Sequence, residues 1–595
     1  MARSQSASRT RGEEDRVRTV EVRVLDGPNL YFTRPAIKLT LAVPGWLQAP
    51  ADRVARAATR LGMQPRPASR PAPRSAPGAL AGVGTPGSEA RRRFVGRLLA
   101  HLTRSLAAAT GTNLAVRARV GAEQDQVVVA FPWRRRGAAE ALAGAVARLA
   151  AELLDPRRSP ERAMTRSATR LLEVEPGPAP VAPTPSIPVV AVTGTNGKTT
   201  TVRLLAHLVR TAGRSVAYSS TDGVYHDGEL VEEGDYSGLG GAATALAQPG
   251  VDVAILETAR GGILLRGIGT TRNDVAVVTN ISADHLGLHG IRTLDQLAEV
   301  KSTITRITRP DGWDVLNADD PRVLAMRRVI RGRPWLFSLD HDHPAIRSAL
   351  EEHGRATTVI DGALTVLLAG TEPRRLPDLL DVPLTLAGIS STNTMNAMAA
   401  ASAALALGLP ERAVVKGLRT FVLDERTNPG RANLYEVDGR IVVIDYAHNE
   451  AGMRGMTEIC HGVRRPGAEI WLAFCAAGDR TDDILHGLGY LAARGSDHVA
   501  VVELLRYLRG RDRQDLVERL RAGAVDGGAS DVPVYEDEVR ALKAMLAAST
   551  PGDVVAVTAL AQRAELFALL NRRRATPIDP GRLRRLVRRA RAAPR

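Results

Sequence analysis

The chain has 595 residues, 44% hydrophobic and 24% charged, which at ~150 residues per domain describes about three to four folded domains and excludes a largely disordered chain. Its net charge of +16 is uneven: from Asn571 onward ten arginines face one aspartate, so nine of the sixteen charges lie in the last twenty-five residues, and a nucleic-acid reading rests on that tail alone. No run approaches the ~18 apolar residues of a spanning helix, the start MARSQSASRTRGEEDRVRTV has no secretory core, and Cys460 and Cys475 cannot build a disulfide framework; the expected location is the cytoplasm, with no membrane partner.

In chain order, residues 1–18 are polar and expected to be disordered. Residues 19–175 form a small α+β domain, with strands at VRTVEVRVL, KLTLAVPG and QVVVAFPW and helices at RRFVGRLLAHLTRSLAAA and AAEALAGAVARLAAELL. The stretch RPASRPAPRSAPGALAGVGTPG reads as an exposed loop within it. Residues 176–188, PGPAPVAPTPSIP, read as an extended, semi-rigid linker. From 189 to 427 the runs VVAVTG, SVAYSS, DVAILET, DVAVVTN and DVLNADD alternate with helical segments, the pattern of a parallel α/β sheet. Residues 428–570 repeat it with GRIVVIDYAH, EIWLAFCA, DHVAVVEL and DVVAVTAL, and residues 571–595 read as an arginine-rich appendage.

The segment VVAVTGTNGKTTTVRLLAHL joins a buried strand, a glycine turn and an amphipathic helix. Glycines let backbone N–H groups approach phosphate oxygens, the helix start adds a positive dipole, Lys198 reaches the β/γ oxygens and Thr199 can hold magnesium. Five before Gly197 stands Val192, so the loop departs from the strict G-x-x-x-x-G-K-[ST] pattern. The bland alternative is a simple strand-to-helix turn. Only five of the 80 basic residues are lysine, and lysine is needed where a compact or deprotonatable cation is required.

TGTNGKTTT resembles the ATP loop of the Mur ligase family, and further matches follow in order: ETARGG at Glu257, TNISADHLGLHG at Asp284 and His285, LDQLAEVKS at Lys301, LNADDP, NTMNAMAAA at Asn396, NPGR at Arg431, DYAH at Asp445 and His448, and GDR at Gly478 to Arg480. This resemblance covers Val189 to Leu570. It implies a P-loop central domain and a Rossmann-like C-terminal domain behind the small α+β domain. Within the family the chain looks most like the cyanophycin synthetase branch, through ETARGG, NPGR and Leu508-Arg509-Gly510-Arg511, and through the N-terminal LDGPNLYFTRPAIKL and QVVVAFPW. That branch places an ATP-grasp domain where the Pro-rich linker stands here, so a separate ATP-grasp ligase is a candidate partner.

The resemblance implies ATP-dependent joining of an amino acid, such as arginine, to a side-chain carboxylate of an acidic peptide or polymer through an acyl phosphate. The nucleotide set is Gly194, Thr195, Asn196, Gly197, Lys198, Thr199, Thr200, Asn280, Asn396, Arg431, Asp445 and His448. Thr199, Glu257 and His285 would hold magnesium; Lys198, Lys301, His285 and Glu257 would serve catalysis; Lys301 would be carbamylated by CO2. Asp479, Arg480, Arg509 and Arg511 would bind substrate. Competing readings stand beside these: Glu257 as a capping or surface carboxylate, His285 with His289 as a zinc pair, Lys301 as a solvated lysine, Asn396 as a satisfied core asparagine, and Arg509 and Arg511 as a solvated pair. The alternative function is a non-catalytic nucleotide-binding scaffold for an ATP-grasp partner. Oligomeric state stays open, a homo-oligomer included.

Overall fold

A computed structural model describes residues 16–63, 82–284 and 286–592. His285, residues 1–15 and most of the Pro-rich stretch lie outside the described residues. The first of two compact units contains the described residues up to Thr184 together with Gly261–Thr271 and His289–Ile291. Its antiparallel sheet has the order β1 (Arg18–Leu25), β2 (Ala36–Ala42), β4 (Gln126–Pro132), β3 (Arg117–Val120). Helix α1 (Glu89–Ala109) buries Phe94, Leu98, Leu102 and Leu106, one side chain every four residues and therefore one stripe. Helices α2 (Arg136–Glu152) and α3 (Pro160–Leu172) complete the layer. The expectation of disorder through residue 18 overreaches by one pairing, because Arg18 opens β1 opposite Ala42.

The Pro-rich segment is extended, as its prolines dictate, and hydrogen-bonded along its length. Arg136 and Ala138 donate their backbone N–H groups to the carbonyls of Pro178 and Pro176, and Thr271 donates to Pro183. Proline has lost a donor but keeps its acceptor, so such a segment is held by its carbonyls.

The second unit carries two sheets. In the larger one, seven parallel strands run β13 (Arg355–Ile360), β12 (Arg333–Phe337), β11 (Thr308–Asn317), β10 (Asn273–Val278), β5 (Val189–Thr193), β9 (Val253–Glu257), β6 (Val216–Ser220). Antiparallel strands extend both edges: β14 (Ala363–Leu368) and β15 (Arg374–Asp378) on one side, β7 (Gly223–His226) and β8 (Glu229–Glu233) on the other. The alternation of strand and helix made the parallel core legible, whereas these hairpins lack a helix between strands. The acidic side chains of β8 are exposed. Helix α4 (Lys198–Thr211) buries Val202, Leu205, Leu208 and Val209. Beside it α6 (Ser391–Ala406) presents the small buried residues Ala397, Ala400, Ala401 and Ala404, so the two helix axes can come close. Helix α5 (Leu294–Lys301) lies between β10 and β11 in sequence.

The smaller sheet has five parallel strands, β20 (Val534–Tyr535), β19 (His498–Val502), β18 (Ile470–Phe474), β21 (Val554–Thr558) and β17 (Arg440–Asp445). The antiparallel β16 (Asn433–Val437) and β22 (Thr576–Pro577) follow. Helix α7 (Glu450–Val463) leaves β17. The arginine-rich tail is part of this fold and no appendage: β22 pairs with β16, and α8 (Pro580–Ala592) buries Leu583, Leu586 and Val587 in the same core. Arg582 also pairs with Glu436 at 3.1 Å. The apolar stripe is only three residues wide among arginines, which hid it in the sequence.

Candidate functional site

The turn between β5 and α4 is a cradle that only glycine permits at two places. Gly194 and Gly197 have φ of 152° and 83°. A Cβ on Gly194 would stand 1.8 Å from the Thr279 hydroxyl, and one on Gly197 would stand 2.1 Å from Asn396 Oδ1. Asn280 braces the loop, accepting from the Asn196 N–H at 2.9 Å through its side chain and from the Thr195 N–H at 2.9 Å through its carbonyl. Asn396 is 3% exposed; its Nδ2 donates to Asn393 and its Oδ1 accepts from Thr201. Both asparagines therefore shape the loop from behind. The N–H groups at the start of α4 face the region where an anion gains from the helix dipole.

Glu257 ends β9 and is 2% exposed. The Thr199 hydroxyl donates to one of its oxygens at 2.8 Å and the Thr221 hydroxyl to the other at 2.8 Å. A hydroxyl and a carboxylate side by side at the end of a phosphate loop form an oxygen donor set that suits a hard divalent cation, with water completing the shell. Lys198 donates to the Thr195 carbonyl at 2.9 Å. Lys301, at the last turn of α5, is 4% exposed and donates to the Gly194 carbonyl at 2.6 Å. Burial, and then the neighbouring Lys198 ammonium, push the Lys301 amine well below the ordinary lysine range. The solvated-lysine reading thus fails for Lys301, and the surface-carboxylate reading fails for Glu257.

The C-terminal sheet supplies the opposite wall. Arg431 lies over the Tyr446 ring, 4.8 Å from its centroid. Asp445 accepts from the Ala432 N–H at 2.7 Å; burial pushes its carboxyl up to about 6 despite that bond and the Arg431 charge. His448 Nδ1 is fixed by the Tyr446 carbonyl at 2.8 Å, and its Nε2 stands 3.8 Å from Asp284. Next to it, Asn449 and Asn196 exchange two amide hydrogen bonds of 2.9 and 3.2 Å, so the phosphate loop is joined directly to the start of α7.

Of the residues expected to bind substrate, Asp479 and Arg480 do come to this cleft. Arg480 is 4% exposed and pairs with Asp284 at 2.8 Å and Asp479 at 3.0 Å, while Arg509 closes on the other Asp479 oxygen. Arg511 has a different role. Its guanidinium donates to the carbonyls of Gly478 and Arg480 at 3.0 and 2.8 Å and pairs with Asp482 and Asp515, so four of its five N–H donors fix the loop. The solvated-surface reading therefore fails for Arg511, while Arg509 is exposed and paired with Asp479.

Sequence reasoning missed Asn449, Thr221 and a buried ion cluster. Asp222 binds Arg203 of α4 at 2.8 Å and Arg563 of the C-terminal part at 2.9 Å. Burial pushes the Asp222 carboxyl up, but Arg431, Arg203 and Arg563 outweigh it and hold it below the usual range. Asn449 follows the recognised DYAH pattern directly, and its position as the N-cap of α7 was a readable signal.

A glycine-cradled loop at a helix start, a hydroxyl–carboxylate pair and a second α/β sheet beside them define a two-sheet α/β body of the phosphate-loop kind. Residues 192–404 match the Mur ligase middle domain and residues 430–560 the Mur ligase glutamate ligase domain, together more than half of the chain, which belongs to the Mur ligase family. It is similar to the cyanophycin synthetases of Synechocystis sp., 42% identical over 324 residues (54% of this chain, 36% of that protein), and Crocosphaera subtropica, 38% identical over 372 residues (62% and 42%). It is also similar to the UDP-N-acetylmuramyl-tripeptide synthetase of Deinococcus radiodurans, 29% identical over 427 residues (69% and 81%). The chain spans less than half the length of the two cyanophycin synthetases it matches. Among the described residues no helix is long and apolar enough to cross a membrane.

Proposed function

We propose that the chain is an ATP-dependent carbon–nitrogen ligase that joins an amino acid, such as arginine, to a side-chain carboxylate of an acidic peptide or polymer. The observation that carries this reading is the convergence of Lys198, Thr199, Glu257 and buried Lys301 on one glycine cradle. The acceptor carboxylate attacks the terminal phosphorus of ATP, the bond to the leaving ADP oxygen breaks, and the resulting acyl phosphate is attacked by the amine, which expels phosphate and gives up a proton. Such transfer needs charge neutralisation and alignment more than a protein nucleophile. Lys198 and the N–H groups at the start of α4 neutralise the phosphates. Thr199 and Glu257 would hold magnesium, which supplies further positive charge there. The neutral Lys301 amine is the form that reacts with CO2, releasing a proton and leaving an anionic carbamate. Arg431, Asp445 and His448 line the wall that meets the nucleotide, and Arg480 is placed to exchange Asp284 for a substrate carboxylate.

The experiment is ADP release by the purified chain with magnesium and bicarbonate against a matrix of amino acids and acidic peptides, with products identified by mass spectrometry. Turnover that requires both an amine and an acceptor is expected, with K198A at least about 100-fold slower, the usual scale for a lost charge-stabilising group. ATP binding without turnover for any pair would assign the scaffold role and direct the search to an ATP-grasp partner. A carbamate carbon signal from labelled bicarbonate is expected in the wild type and absent in K301A.

A further inference from the structure

The first compact unit holds a cavity of about 530 Å3, within the range of small-molecule sites. Two segments singled out in the sequence build it and are not used by the ligase site: the turn ending at Arg34, and the strand end Phe131-Pro132-Trp133 with Arg134 and Arg135. Both are held rigidly. Asn29, 1% exposed, ties the turn by donating to the carbonyls of Gly27 and Arg34 at 2.9 and 3.0 Å and accepting from the N–H groups of Tyr31 and Phe32 at 3.0 Å. Trp133 is 6% exposed, and its indole N–H donates to the Leu25 carbonyl at 3.1 Å.

The charge around this cavity is unbalanced. Among the described residues, the guanidiniums of Arg34, Arg134 and Arg135 have no carboxylate or carbonyl partner, whereas the nearby Arg136 pairs with Glu140 at 3.1 Å. No acidic side chain lines the cavity, and its remaining wall is largely apolar, with Trp133, Leu142 and Leu171. Three exposed arginines line this one concavity, and an anion that enters gains charge-assisted, bidentate hydrogen bonds from them.

We infer that this cavity is a binding site for a small organic anion, a phosphate or carboxylate group on an apolar body: the charged end would meet the three guanidiniums and the body would pack on Trp133 and Leu142. The site is separate from the ligase chemistry, and the inference does not depend on the proposed function.

The test uses the full chain and calorimetric titration with four probes: 1-naphthyl phosphate, 1-naphthylacetate, 1-naphthol and inorganic phosphate. Saturable 1:1 binding is expected for one or both of the naphthyl anions, at least tenfold tighter than for naphthol or inorganic phosphate, and the two anions distinguish a phosphate from a carboxylate site. Ligand should also raise the melting temperature, since it binds the folded state only. The triple variant R34Q/R134Q/R135Q should keep the wild-type circular dichroism and melting temperature without ligand, because these side chains hold nothing else, and should lose at least tenfold in affinity. L142W, which fills the apolar wall without adding charge and keeps all three arginines, should also lose it. Binding that is unsaturable, equal for naphthol, or unchanged in both variants would overturn the assignment.

Discussion

At the scale of single residues, the contact between Asn196 and Asn449 is the one with the sharpest consequence. Each amide gives the other a donor and an acceptor, so removing one side leaves one polar atom of the other unsatisfied, Asn449 Nδ2 or Asn196 Oδ1, at a cost of ~1–3 kcal/mol. N196A and N449A should each lower kcat/KM for ATP about tenfold, and the double variant should be little worse than either. A double-mutant cycle checks this; fully additive effects would mean that the two residues act separately. Asp314 offers a second test, in stability. It is fully buried in β11, accepts from the Thr308 hydroxyl at 2.7 Å and the Gly332 N–H at 2.9 Å, and burial pushes its carboxyl up to about 7 in spite of both. In the unfolded chain an aspartate titrates near 4. The folded state therefore holds its proton more tightly, so this group's contribution to stability is complete below about pH 4 and is lost as pH rises through about 7. Urea midpoints across that window should fall more steeply for the wild type than for D314N, whatever the variant costs at each pH; parallel curves would remove the assignment.

At the scale of elements, the clearest correction concerns the tail. Charge made residues 571–595 look separate, yet Leu583, Leu586 and Val587 pack into the C-terminal core. Fully burying side chains of this kind contributes ~1.5–3 kcal/mol each, so L586A/V587A should lower stability by about 3 kcal/mol, seen as a lower urea midpoint. Raising the salt concentration should not restore it, as it would if the helix mattered only through its charge. Strand, glycine turn and helix around Lys198 were legible because three independent signals coincide there: a β-branched run, glycines at fixed places and an amphipathic period. The same holds for the parallel cores of both larger sheets. The edge hairpins, the docking of the tail and the role of Arg511 were not legible, because each is decided by partners far away in sequence: Arg511 reads like any arginine until Asp482, Asp515 and two carbonyls surround it. Asn280 and Asn396 show the same limit. Their type and position marked the nucleotide loop, but only the fold shows that their polar groups face the loop from behind.

At the scale of the whole second unit, two polar clusters join its sheets. Asp222 sits between Arg203, whose side chain is 4% exposed, and Arg563, which is one-third exposed. The asymmetry makes a prediction. D222A strands a buried guanidinium and should cost ~3–5 kcal/mol, whereas R563Q removes the more exposed partner and should cost well under 2 kcal/mol; thermal unfolding of the two variants decides it, and equal losses would show that Arg203 finds another partner. The second cluster is Asp284 with Arg480 and Asp479, in which Arg480 is buried between two carboxylates.

The joint between Asn196 and Asn449 differs in kind from these charged clusters. A pair of carboxamides carries no net charge and does not titrate between pH 4 and 10. Rising ionic strength or a change of pH weakens ion pairs but leaves such a pair untouched. The alignment of the phosphate loop with α7 thereby rests on an uncharged polar connection, which a change of ionic surroundings cannot loosen.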